Sequence, residues 1–435
     1  MRNRFIYKVK DFDKLISKLL VFGKSFKYSC LLHSNSSIKK LPKKYSNFKA
    51  IFAFDSISNI SSNHHSFNKL KEFHKKEKDW LFGYLSYDLK NESYNLKSKI
   101  NDNIKSDNMS FFIPKYVFLI KDKMLHIESF ESKKVIDILY DEIINQCCLV
   151  DKNISIIFKS RESKEIYLEK IKKIKHHIQI GDIYEINYCQ EFYNNNISVS
   201  TAELFYKLNK ITESPFASFL NIDNISVICL SPERYLLKNI NQIISQPIKG
   251  TSKRSSNDNE DKILIKNLQL SQKNISENIM IVDLVRNDLS KTAMNSSVKV
   301  DKLCGVYTFN NIHQMISTIS SEVHPSTHFT EVIETTFPMG SMTGAPKIKA
   351  MSLIDEYECS SRGLFSGSIG YITPQGDFDF NVVIRSLIYN KKTKYLSVSV
   401  GGAITCNSSP QEEYEECLIK IKPIFESLKF SLDDR

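Results

Sequence analysis

The chain has 435 residues, 41 % hydrophobic and 25 % charged, with a formal net charge of +11 at neutral pH. This balance suits a globular protein with a large core, built as two or three domains or as one large unit. No apolar run reaches the roughly 18 residues of a membrane-spanning helix, and the first twenty residues break their apolar positions with Lys and Asp. Neither a membrane span nor a signal-peptide core is therefore predicted, and a cytoplasmic location is expected.

The nine cysteines are scattered, with no C-x-x-C pair and no zinc-type His/Cys spacing, which reads as reduced structural thiols. The positive charge is spread along the chain among Asn and Ile. Lys39, Lys40, Lys43 and Lys44, and the cluster from Lys71 to Lys78, read as solvated surface rather than as a nucleic-acid patch. A general positive field still favours an anionic substrate.

In chain order, residues 1–150 read as irregular, with short β-like runs at 50–54 and 111–118 and an Asn/Ser-rich connection at 56–66. From about residue 160 the pattern is more regular. Apolar spacing predicts helices over 162–180 and 202–208, then strands over 216–220, 226–230, 235–238 and 242–245. Residues 258–288 read mostly as helix, 348–357 as another, and the tail as strands over 366–372, 380–390 and 395–400 before a final helix. Hairpins mixed with helices, without a strict βαβ rhythm, predict an α+β fold.

Four constellations carry possible chemistry. The final helix opens with Ser409, Pro410 and Glu412 in capping-box positions, and Glu413, Glu416 and Lys420 then share one stripe. That stripe is either a solvated face or a Mg²⁺ site, since a hard cation prefers carboxylate oxygens. A second carboxylate group lies in Ser276–Asp288, where Glu277 sits early in a helix as a cap or a ligand and Asp283 with Arg286 can be a structural ion pair. The third is Ser231-Pro232-Glu233-Arg234 with Pro247-Ile248-Lys249-Gly250-Thr251: Lys249 is either an exposed turn lysine or a nucleophile, and Gly250 and Thr251 can meet a carboxylate. The fourth is glycine-rich, at 340–347 and 400–403, serving either as turns or as amide donors to an anion. His313 reads first as a satisfied core histidine.

In this order, S-P-E-R, P-I-K-G-T, E-N-I-M-I-V-D-L-V-R-N-D, M-T-G-A-P-K and the terminal E-x-x-E-x-x-x-K resemble the chorismate-utilising enzymes, which include anthranilate synthase component I, aminodeoxychorismate synthase component I and the isochorismate and salicylate synthases. The resemblance is dense over about 160–425 and weaker in Leu31–Ser34 and Gly83–Leu89. It implies large antiparallel sheets flanked by helices in two intimately packed lobes, an N-terminal one at 1–155 and a chorismate-binding catalytic region at 156–430.

The resemblance also implies roles. Glu277, Glu413 and Glu416 match Mg²⁺ ligands, and Arg385, Gly250, Thr251, Gly401 and Lys420 match contacts to the carboxylates of chorismate. His313 and Thr343 match residues near the departing C4 hydroxyl, and Glu233 matches the general acid. Lys249 stands where anthranilate synthases usually carry Ala. It is similar to the nucleophile of the aminodeoxychorismate-forming branch, which attacks C2 before ammonia adds at C4. Such a lysine must lose its proton, so a lowered pKa is expected. Glu185 stands where water-using members need a lysine and aminating members often have Gln. Phe365 replaces a common substrate-touching tyrosine. No glutaminase motif is present, so the resemblance implies a separate glutamine amidotransferase subunit supplying ammonia. The alternatives are anthranilate synthase, or a degenerate chorismate-binding regulatory protein without activity.

Overall fold

The strand Ala50–Ser62 and the strand Met109–Lys121 pair antiparallel along their full length, from Ala50 opposite Ile120 to Ser62 opposite Met109. The first 150 residues are thus not irregular, and the expected connection at 56–66 is largely strand. A bulge between Ser56 and Ser58, with Asp55 at φ 60°, bends the strand but keeps its pairing. The polar sequence hid this because backbone pairing with a neighbour, not side-chain propensity, holds the second half. A computed structural model describes residues 2–35, 48–96, 98, 102–121, 123–151, 154–309, 312–428 and 431–432; Lys39, Lys40, Lys43 and Lys44 lie outside them.

One antiparallel sheet runs through Asn3–Lys8, Met124–Ser129, Met109–Lys121, Ala50–Ser62, Tyr28–His33, Phe216–Ile222, Ile225–Ser231, Ser386–Asn390, Tyr395–Ile404 and Glu185–Asn194. A second branches from Met109–Lys121 through Leu81–Leu85, Ser368–Ile372, Phe378–Asn381, Arg234–Asn239 and Gln242–Gln246 to Ile312–Glu322. This last strand also pairs with Ile248–Lys253 and Lys299–Thr308. Strands from before and after residue 155 are hydrogen-bonded side by side, Tyr28–His33 with Phe216–Ile222 and Leu81–Leu85 with Ser368–Ile372. The α+β class with large antiparallel sheets is as expected.

The alternation of strand side chains gives each sheet two faces. One apolar cluster joins the sheets through Phe82, Phe111, Phe112, Tyr235 and Phe380. A second packs Leu19, Ile136, Ile171, Phe205, Leu353 and Ile421 of the helices on the other face of the first sheet. Each such side chain contributes roughly 1.5–3 kcal/mol on full burial.

The helix expected over 162–180 is Lys164–Gln179; Ser163 caps it by accepting from the Ile166 N–H, and Tyr167, Ile171 and Ile174 form its buried stripe. The stretch 258–288 divides into Asp258–Leu270 and Gln272–Ser290 at Ser271, whose hydroxyl accepts from the Asn274 N–H. The strand expected over 380–390 is interrupted between Asn381 and Ser386, where Arg385 takes φ 50°. Among the described residues no helix is long and apolar enough to cross a membrane.

Candidate active site

Lys249 sits in a bulge. On Ile248–Lys253, Ile248 faces Ile316 and Thr251 faces Gln314, so the strand gains a residue against its partner. Gly250 supplies the φ of 91° that this bulge needs, and a Cβ there would press on the Asn274 side chain. The bulge re-aims Lys249 inward, where it is 9 % exposed and its Nζ donates to Glu185 Oε1 at 2.8 Å. Glu185, the first residue of Glu185–Asn194, is 1 % exposed, and its Oε2 is buried without a hydrogen-bond partner. Burial alone would lower the Lys249 pKa. Glu185, with the charges of Glu277 and Glu233, outweighs it and holds the ammonium above its ordinary range. The lowered pKa expected from the sequence is therefore not the state of this site, because the Glu185 carboxylate stands against the ammonium.

Glu233 follows Pro232 in the turn between Ile225–Ser231 and Arg234–Asn239 and is 4 % exposed. Ser231 Oγ accepts from its backbone N–H at 3.1 Å, and its carbonyl accepts from Val382 N–H at 3.1 Å, so the turn is fixed at both ends. Burial pushes its carboxyl pKa up to about 7, against the opposing pull of Ser341 and the Lys249 ammonium. Near neutral pH it is divided between acid and carboxylate, as a proton donor requires.

Three further carboxylates border this pair. Glu277, in the second turn of Gln272–Ser290, has a buried Oε1 with no hydrogen-bond partner. Burial raises its pKa, with Glu185 and Glu416 adding to the rise and Lys249 and Lys273 opposing it. On Pro410–Ser427, Pro410 opens the helix as expected, and the serine that reaches back into it is Ser408, which donates to Glu413 Oε1 at 2.8 Å. A methyl group built on Gly402 would meet Glu413 Oε2 at 3.1 Å, Lys420 Nζ at 3.6 Å and Glu416 Oε1 at 3.8 Å, so these three heads gather beside one point of the strand Tyr395–Ile404. Lys420 bridges Glu416 at 2.8 Å and the Gly401 carbonyl at 2.8 Å. Lys273 Nζ lies 3.4 Å from Glu413 Oε1 and feels Glu413, Glu277 and Glu416 together.

Among the described residues no three His, Cys, Asp or Glu side chains stand close enough to hold a metal ion as they are arranged. The donor set itself fits Mg²⁺: three carboxylates, one with an orphaned buried oxygen, sharing a cleft with a lysine ammonium.

The remaining candidates are placed as follows. Arg385 is half-buried in the gap between Asn381 and Ser386, and among the described residues its guanidinium has no hydrogen bond or ion pair. Burial accordingly lowers its pKa. At Gly401 a side chain would collide with Cys189 Sγ and the Tyr188 carbonyl. Thr251 is exposed. Thr343 is fully buried, with its hydroxyl turned onto the Gly340 carbonyl at 3.1 Å. His313 is also fully buried, and both ring nitrogens are occupied, Nδ1 by Thr308 Oγ1 at 3.0 Å and Nε2 by Asp261 Oδ1 at 2.9 Å. Phe365 is buried in the core cluster between the sheets.

Sequence reasoning did not single out Lys273, although it stands one helical turn before Glu277, a spacing that pairs opposite charges. In the sequence Glu185 is only a departure from the motif, because its partner lies 64 residues away. A buried brace was also missed: Arg362 binds Glu358, the Met342 carbonyl at 2.6 Å and the Asn187 carbonyl at 2.7 Å, tying the Thr343 loop to the strand that carries Glu185.

Residues 32–426 match the chorismate binding enzyme family. The chain is 36 % identical over 272 residues to aminodeoxychorismate synthase component 1 of Escherichia coli, covering 62 % of this chain and 59 % of that protein. It is 38 % identical over 285 residues to the chloroplastic aminodeoxychorismate synthase of Arabidopsis thaliana, covering 64 % of this chain and 30 % of that one. The chain therefore spans from under a third to about three-fifths of the curated relatives it matches. In fold it superimposes on anthranilate synthase component I of Streptococcus pneumoniae with a TM-score of 0.77 at 23 % identity, over 86 % of this chain and 91 % of the other. By the extent of the family match, the chain belongs to the chorismate binding enzymes.

Proposed function

We propose that this chain is the chorismate-aminating subunit that forms 4-amino-4-deoxychorismate, in the cytoplasm, with ammonia supplied by a glutamine amidotransferase partner. The observation that carries the reading is the buried Lys249 ammonium beside Glu233, a carboxyl poised near pH 7. The relatives named for aminodeoxychorismate synthesis support it, as do nine free thiols for a reducing compartment.

Chorismate is a dianion. The unpaired Arg385 guanidinium, Lys420 and the backbone beside Gly250 and Gly401 supply the positive and N–H groups its carboxylates need. Glu277, Glu413 and Glu416 would hold Mg²⁺, which when bound neutralises and polarises a substrate carboxylate. Lys249 passes its proton to Glu185 within their hydrogen bond, and the freed Nζ pair bonds to C2. Both conjugated ring double bonds shift one place toward C4, and the C4–O bond breaks as Glu233 protonates the leaving hydroxyl to water. Ammonia then bonds to C4, both double bonds shift back, and the lysine nitrogen leaves C2 with its electron pair. Burial of both groups is what makes the transfer feasible, since a low dielectric narrows the gap between an ion pair and its neutral form.

Product analysis with chorismate, MgCl₂ and ammonium tests the proposal. Formation of 4-amino-4-deoxychorismate, with the pyruvyl group retained, supports it. Anthranilate with release of pyruvate would instead assign the anthranilate synthase reaction, and unchanged chorismate would leave a binding protein. Glutamine is expected to replace ammonium only when an amidotransferase subunit is added.

A further inference from the structure

We infer that Lys273 is the internal counter-ion of the carboxylate cluster, occupying with its ammonium the place that Mg²⁺ takes, so that metal binding is an exchange of one cation for another. The inference rests on the proposed metal site and concerns how this chain controls access to it. Lys273 lies on Gln272–Ser290 four residues before Glu277, and its Nζ is 3.4 Å from Oε1 of Glu413, a residue only 1 % exposed. It is the lysine whose charge couples to Glu413, Glu277 and Glu416 together. The other two lysines nearby are engaged elsewhere: Lys249 is bound to Glu185 and Lys420 to Glu416 and the Gly401 carbonyl.

Two features show that Lys273 balances the cluster incompletely. Glu277 Oε1 stays buried and unpartnered, so one donor oxygen is left for a cation with more than one open coordination position. The Lys273 side chain is also half-exposed, at 50 %, so its ammonium can swing into water without being stranded in the core. An ammonium offers one charge and three directional donors, whereas Mg²⁺ offers two charges and octahedral demand for oxygen. The exchange therefore gains electrostatic energy at the carboxylates and costs little at the lysine.

The experiment titrates the whole chain with MgCl₂ by calorimetry and follows thermal unfolding with and without Mg²⁺, comparing wild type, Lys273→Met, Lys273→Arg and Glu277→Gln. Removing the competing charge is expected to tighten Mg²⁺ binding roughly threefold or more, an effect kept modest by the exposure of the side chain. Lys273→Met should also lower the metal-free melting temperature and enlarge its rise on Mg²⁺ addition, while Lys273→Arg, which keeps the charge, should bind like wild type. Equal affinity in wild type and Lys273→Met, with binding abolished in Glu277→Gln, would overturn the exchange while leaving the metal site in place. Absence of Mg²⁺ binding in both wild type and Lys273→Met would overturn the metal site itself, and the exchange with it.

Discussion

Lys249 Nζ and Glu185 Oε1 meet at 2.8 Å in a cleft where both side chains are at least nine-tenths buried. A buried pair of this kind is costly to break from one side, because the survivor keeps its desolvated charge. The raised lysine pKa means that the pair's contribution to stability is complete below the ordinary lysine value of about 10.4 and is lost only as pH rises through the higher folded value. Across neutral pH the contribution is constant.

Glu185→Gln should therefore destabilise the chain at pH 7 by about 3 kcal/mol, read from urea unfolding. Without the carboxylate, burial is left to act on the lysine against weaker opposition, and its pKa should fall. Labelling of Lys249 by an amine-selective reagent, followed by mass spectrometry, should then begin at lower pH than in wild type. Unchanged labelling would mean that Glu185 does not control the lysine's proton.

Glu233 should impose a pH limb on amination. Its acid form is the donor, and its pKa lies near 7, so the turnover number should fall as pH rises through that value when free ammonia is held constant. Glu233→Gln should slow turnover about 10²–10⁴-fold and remove the limb. A profile flat from pH 6 to 8 in wild type would take the general-acid role away from Glu233.

Lys249→Ala should abolish formation of 4-amino-4-deoxychorismate while chorismate still binds, and can open C2 to direct attack by ammonia. Chromatography of the products distinguishes the two carbons. A Lys249→Ala chain that makes the same product at the wild-type rate would rule out a covalent lysine step.

Arg385→Met should separate stability from binding. The guanidinium is half-buried and has no ion pair in the ligand-free chain, so the variant should unfold within about 0.5 kcal/mol of wild type in the absence of chorismate. It should also bind chorismate more weakly, by about 2–5 kcal/mol, because a buried charge pair loses one member. Lower stability together with unaltered chorismate affinity would make Arg385 structural.

The sequence by itself determined the parts that depend on near neighbours and on residue type. Helical spacing marked a helix over 162–180, which the structure has at Lys164–Gln179, and Pro410 marked the start of the last helix. The ordered motifs identified the family and named Lys249, Glu233 and the three metal-type carboxylates. Tertiary structure alone decided the charge state of the site. Glu185 meets Lys249 only because the bulge at Gly250 turns one strand's lysine toward the first residue of another, and Lys273 meets Glu413 across 140 residues. It also decided that 56–62 is strand, since those polar residues are held by hydrogen bonds to Met109–Lys121 rather than by their own preference. Periodicity and capping act over one or two turns of chain and are written locally. Proton affinity in a buried cleft is set by whichever charges folding brings within a few ångströms, and sequence separation carries no information about that distance.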